Sequence, residues 1–309
     1  MKDNISERTR WLVCAGAGAL AAAALRRWQL ASAFEPPLGL SVPGAQASVI
    51  LVCVLLMAAA GLAILALSGY SRAAEEHCRW DLAFLGTGDW AYPVLEVLAA
   101  FLALAAAPPL LKMGWGQWQD YQTARARLAQ GIDVQLPSNN GMLALATAAG
   151  ALVCFLGLLQ LGRDGLRPGK RGRGGFSAAL PGVAGCVWLM ESFRAHAANP
   201  VLWDYAPLLL AIVCGMLFYM DFAGISAGVC RPRRLLWMAG MTFILSAAAL
   251  ASAVENGWAD VLLLLSQMLG AAGVLWRLPP SLESLPRTKA RPHPRTLGEE
   301  SIQEETTHE

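Results

Sequence analysis

The stretch QASVILVCVLLMAAAGLAILAL, Gln46 to Leu67, runs for 22 residues without a single charge. As an α-helix it would extend about 33 Å, enough to cross the ~30 Å hydrocarbon core of a bilayer. A strand of a membrane barrel would instead alternate polar and apolar positions, and this run does not. Seven more runs of the same kind lie on either side of it. They cover Trp11–Ala33, Trp90–Leu111, Gly141–Leu161, Phe176–Phe193, Trp203–Gly228, Leu235–Ala253 and Ala259–Trp276. The expected fold is therefore all-α: a polytopic bundle of about eight transmembrane helices over residues 11–276, with the lipid bilayer as its first partner.

Composition agrees. The 309 residues are 56% hydrophobic and 15% charged, where a soluble chain carries about 25% charge. Nine of the eleven tryptophans fall near a proposed span end, the level at which amphipathic rings settle among lipid headgroups. With the N-terminus inside, 18 Lys and Arg lie on the cytoplasmic side and 6 outside, a positive-inside bias that predicts a multi-pass cell-membrane protein with both termini cytoplasmic. The basic stretch RPGKRGRGG, 167–175, then reads as a retained cytoplasmic loop. It has no aromatic or polar readers beside it, so nucleic acid is not an expected partner.

Both ends of the chain differ from the middle. Residues 1–10 are polar, and "ASA" at 31–33 resembles a signal-peptide cleavage site. Arg26 and Arg27 stand between it and the apolar core, where export signals rarely carry a charge pair, so a retained first span is expected. Residues 277–309 are rich in proline and charge and are expected to form a disordered cytoplasmic tail. Spans one and five each end in arginine before a proline-containing loop, which suggests two four-helix halves related as a parallel repeat.

Polar residues at the spans form two groups. MESFRAHAANP, 190–200, closes span five with Glu191, Arg194 and His196; Glu191 and Arg194, three apart, share a helix face and can pair. Arg26, Arg27, Glu35, Asp204 and Tyr205 are expected at the same outer level, making an outward-facing polar pocket. Glu96 and Asp221 lie deeper, and Gln267 sits near the middle of span eight. A carboxylate in hydrocarbon costs roughly 2.5–3.5 kcal/mol by insertion scales, so it is buried in the bundle, paired or protonated. Asp221 precedes GISAG, 224–228, a GxxxG spacing that allows close helix approach.

Absences narrow the chemistry. No span has an interior histidine for a bis-His haem, and Walker A, HExxH and GxSxG patterns are missing. Seven cysteines form no CxxC pair and no metal-ligand spacing, so no cofactor is expected. The loop 112–140 contains WGQWQDYQTARARL, expected as an amphipathic surface helix. Three readings of function remain. The first is a small-solute or ion permease using the intramembrane carboxylates. The second is a non-catalytic anchor or assembly subunit, with a protein partner or a second copy of the chain on its Gly- and Ala-rich faces. The third is a membrane-embedded enzyme on lipid-linked substrates, with Glu191, His196 and Asp204 as its acid–base group.

Overall fold

The apolar runs become helices, and their flanking charges tie the helix ends together. The computed structural model describes residues 2–35, 40–42, 45–69, 84, 89–133, 135, 141–166, 174–197, 201–227, 229 and 231–283. Among these, α1 (Lys2–Ser32) is followed by a two-residue antiparallel ladder, β1 (Phe34–Glu35) with β2 (Leu40–Ser41). Then come α2 (Gln46–Gly69), α3 (Ala91–Ala129), α4 (Gly141–Leu166), α5 (Gly174–His196), α6 (Leu202–Ser226), α7 (Pro232–Asn256) and α8 (Trp258–Glu283).

Seven of these helices, α2 to α8, are long and apolar enough to cross a membrane, one fewer than expected. In α1 the apolar stretch is cut by Arg26 and Arg27. The helix still packs through one stripe, Trp11, Ala15, Ala19, Ala22, Arg26 and Gln29, all buried. Those positions recur every three or four residues, the spacing that brings side chains to one face of a helix.

Side chains at the helix ends fix the alternation of direction. Asp89, just before α3, accepts from Trp276 Nε1 late in α8 at 2.9 Å and pairs with Arg8 of α1 at 3.4 Å. The starts of α1 and α3 and the end of α8 therefore share one face, here called proximal. On the opposite, distal face Trp188 Nε1, late in α5, donates to Asp260 at the start of α8 (3.0 Å). Arg26, late in α1, donates to the Asp204 carbonyl at the start of α6 (2.5 Å).

The six helices α3 to α8 close a ring in chain order, α8 returning to α3. Helix α1 lies against α7, α8 and α2, and α2 touches α1 and α7. In their contacts the helices form a ring of six with two appended. In α7 and α8 most of the apolar window is buried (72% and 67%), whereas in α2 only 17% is. Leu56, Met57, Ile64 and Leu67 of α2 are more than 60% exposed. That apolar outside around a partly polar inside is what lipid as solvent requires.

Two boundaries move. Residues 112–129 form no separate surface helix, because α3 continues unbroken through Pro108 and Pro109 to Ala129. Its 39 residues span about 58 Å, far beyond the bilayer core. Helix α8 likewise runs on to Glu283, so Arg277 and Leu278, assigned to the tail by composition, are buried helix residues. The rest of the expected tail lies outside the described residues.

Of the tryptophans expected in a headgroup belt, Trp28, Trp90, Trp115 and Trp258 are exposed. Trp11 departs from it, being fully buried in the core.

Candidate functional site

The interior polar group is built from α8 outward. Ser266, Gln267, Gly270 and Gly273 fall at three- and four-residue spacing, hence on one face. Ser266 Oγ donates to the Ala99 carbonyl of α3 at 2.7 Å, fixing α8 against α3. The Gln267 amide nitrogen presses on the bare Cα of Gly215 in α6. Gly270 leaves room for the Tyr219 hydroxyl, which occupies the place a β-carbon would take. A β-carbon at Gly273 would stand 3.2 Å from Glu96 Oε1 and 3.4 Å from the Tyr92 ring. The two glycines thus make the niche in which Glu96 lies.

Glu96 is fully buried, and neither carboxylate oxygen has a hydrogen-bond partner among the described residues. The hydroxyls of Tyr92 and Tyr219 and Gln267 Oε1 are buried and unpartnered in the same sense. Burying a polar group unpaired costs roughly 1–3 kcal/mol, and an isolated charge far more. A carboxyl held this way is stable only as the neutral acid or with a cation beside it. Four such groups around one niche form a desolvated polar knot with unfilled bonding capacity.

Beside the knot is a small, half-open cleft between α4, α5, α6 and α8, lined by Thr147, Cys154, Trp188, Tyr219, Ser266 and Gln267 among others. Tyr219 and Gln267 belong to both cleft and knot. Polar groups continue from there to each face. Distally, Trp188 leads to Asp260, with Glu191 and His196 in electrostatic reach of that carboxylate. Proximally, Glu96 leads to Tyr92, whose ring lies 3.1 Å from where a Gly165 β-carbon would stand. Tyr92 is in turn in electrostatic reach of Asp164 and Arg277. Asp164 accepts from Gln160 at 2.8 Å, and Arg277 faces Asp89 and Arg8 at the proximal surface.

The expected inner group is therefore divided. Glu96 and Gln267 meet around Tyr219, but Asp221 does not join them. It pairs with Arg234 at 2.8 Å at the proximal ends of α6 and α7, and Arg234 is 44% exposed, so this is an interfacial clasp. Beside it, a β-carbon on Gly224 would meet, among the described residues, only the Val229 carbonyl. Gly228 lies outside the described residues.

The expected outer pocket is also divided. Arg26 is buried, donates to Gln29 Oε1 at 2.7 Å, and lies 3.8 Å from the Asp204 carboxylate. Gln29 passes the network on to Ser48 of α2 at 2.8 Å, so these residues join α1, α2 and α6. Arg27 turns away to the Ala251 carbonyl (3.2 Å). His196 stacks on Tyr205 with ring centroids 5.2 Å apart, and its Nδ1 faces the Ser192 carbonyl at 2.8 Å. Glu191 and Arg194 form no ion pair with each other among the described residues; Arg194 is exposed while Glu191 sits toward Asp260. The Glu35 side chain lies outside the described residues. Asp204 is thus engaged by Arg26, and His196 by Tyr205.

The sequence reading missed Tyr92, Tyr219, Cys154, Asp164 and Arg277. The available signal was helix phase: Tyr92 precedes Glu96 by one turn, and Gln267, Gly270 and Gly273 share its neighbouring face. Among the described residues no cluster of three or more His, Cys, Asp or Glu could hold a metal ion. No protein-family model, curated protein or solved structure matches the chain.

Proposed function

We propose that the protein is a permease for a small cationic solute, with Glu96 as the carboxyl that exchanges a proton for it. One observation carries this reading: Glu96 is fully buried with both oxygens unpartnered among the described residues, next to the cleft-lining Tyr219 and between polar groups directed to both faces. An ionisable group inside a membrane bundle, without a structural partner, is a pathway residue by default. A clasp such as Asp221–Arg234 spends its charge on holding helices together; Glu96 has no such duty.

The assembly-subunit reading rests on exposed apolar faces such as that of α2. Lipid covers those faces equally well, so they call for no protein partner. The orientation follows from charge: the proximal face is the cytoplasmic one, since the Lys and Arg excess gathers there. A fluorescent protein fused after Glu309 is expected to fluoresce in cells, and a dark fusion paired with active alkaline phosphatase at the same position would reverse the orientation.

The transport assay uses the full chain in proteoliposomes enclosing a pH indicator. With an imposed pH gradient, external ammonium-type cations are expected to drive proton flux faster than in protein-free vesicles. Flux equal to that of empty vesicles for every small cation supplied would reject the permease.

A further inference from the structure

We infer that the cleft between α4, α5, α6 and α8 is a binding site for the charged head of a small organic ammonium such as benzylammonium, with Glu96 behind Tyr219 as its counter-charge. The inference rests on the permease reading for its purpose, but not for its evidence, which is the composition of the walls.

Four features of the cleft select that ligand. The first is charge. Acidic groups stand behind its lining on two sides, Asp260 bonded to Trp188 with Glu191 in electrostatic reach of it, and Glu96 next to the Tyr219 hydroxyl, and among the described residues no lysine or arginine lines it. The second is an aromatic wall held in place. Trp188 is 5% exposed and its Nε1–H donates to Asp260 Oδ1 at 3.0 Å, so the ring cannot turn away. Trp is the best cation–π partner among the aromatic side chains, and the Asp260 charge on its edge adds to its attraction for a cation.

The third feature is a pair of polar atoms in need of partners. Gln267 Oε1 and the Tyr219 hydroxyl have none among the described residues, and both residues are more than nine-tenths buried. Both can accept from an ammonium N–H. A neutral alcohol could satisfy one of them but would leave Glu96 unanswered. The fourth is the apolar remainder, Ala151, Pro181, Ala184 and Leu263, which suits a hydrocarbon body attached to the charged group and not a fully hydrated metal ion.

The exchange balances. The neutral Glu96 acid and one ammonium cation become a carboxylate–ammonium pair and one free proton. One positive charge is taken up, one is released, and the buried site keeps its net charge. Binding therefore needs no unpaired charge at any stage, the condition a low-dielectric interior imposes.

The test is binding to the full chain in mild detergent at fixed ionic strength, with benzylammonium chloride, benzyl alcohol and sodium benzoate as matched probes. Benzylammonium is expected to raise the thermal unfolding midpoint in a saturable way, and the alcohol and the benzoate are not. The shift is expected to be lost in Gln267→Leu and strongly reduced in Trp188→Leu, while Asp221→Asn retains it. A second readout needs no variant at the site. Cys154 lines the cleft, so its modification by N-ethylmaleimide, followed by peptide mass spectrometry, is expected to slow severalfold with benzylammonium. The exposed Cys14 and Cys53 serve as internal references and should not slow. An equal effect from benzyl alcohol, an effect from benzoate, or no effect of benzylammonium on midpoint and Cys154 alike would overturn the assignment. Failure of the two proposals is separable: binding without flux rejects the permease and keeps the site, and flux without amine binding does the reverse.

Discussion

Glu96→Gln is expected to reduce cation-driven proton flux in proteoliposomes to the rate of vesicles without protein. Glutamine has nearly the shape of glutamic acid and the same apolar stem, so the niche beside Gly270 and Gly273 still fits it. What it lacks is a proton to give up and a charge to pair with a bound cation. The stability of the fold should change by less than about 1 kcal/mol, because the carboxyl it replaces forms no hydrogen bond among the described residues and leaves no cavity. The two readouts separate pathway from scaffold: a scaffold residue would cost stability, a pathway residue costs flux alone. Asp221→Asn is the matched control. It removes an acid of similar depth in the sequence, but one paired with the half-exposed Arg234, and it is expected to keep its flux. Wild-type flux in Glu96→Gln would reject the assignment.

Why the sequence separated these two acids poorly is a matter of helix phase. Both sit in long apolar runs, and hydropathy treats them alike. In α6 the inward positions are Gly215, Phe218, Tyr219 and Phe222. Asp221 is two residues past Tyr219, about 200° around the helix, and therefore points away from the knot. A reading that sorted positions by phase as well as by hydropathy could have put Tyr219 with Gln267 and left Asp221 at the rim. In α3 the phase was favourable, since Tyr92, Glu96, Ala99 and Ala103 recur at helical spacing and are all buried. Only the neighbouring helix was unknown, and no local rule says that α8 returns to lie against α3.

The architecture was more legible because it depends on length and apolarity, which are local. Seven of the expected spans appear as helices that could cross a membrane. The eighth, α1, falls short for a reason visible in the sequence, its Arg26–Arg27 pair. The outer pocket was less legible because chain order gives depth but not azimuth. Arg26 and Asp204 meet, as do His196 and Tyr205, and these pairs serve different helix contacts.

Gly141→Val is expected to destabilise the protein by about 3 kcal/mol, measured by unfolding in mixed micelles. Helices α3 and α4 approach closely at Gly114 and Gly141. A β-carbon at Gly141 would stand 2.6 Å from the Trp118 nitrogen and 2.7 Å from the Gly114 carbonyl oxygen. These are backbone atoms, which cannot rotate aside as a side chain does, so the two helices must move apart and lose packing along their length. Membrane helices depend on such contact, since lipid supplies no hydrophobic force to press them together. Gly16→Ala is the counterpart on α1. Among the described residues nothing lies within 4 Å of its β-carbon position, so the change should be neutral or stabilise by up to about 1 kcal/mol through helix propensity. Opposite signs at two glycines of similar sequence context would show that small residues in this chain are placed by helix contact and not by composition. A loss at Gly141 no larger than the change at Gly16 would mean that α3 and α4 do not meet at this point.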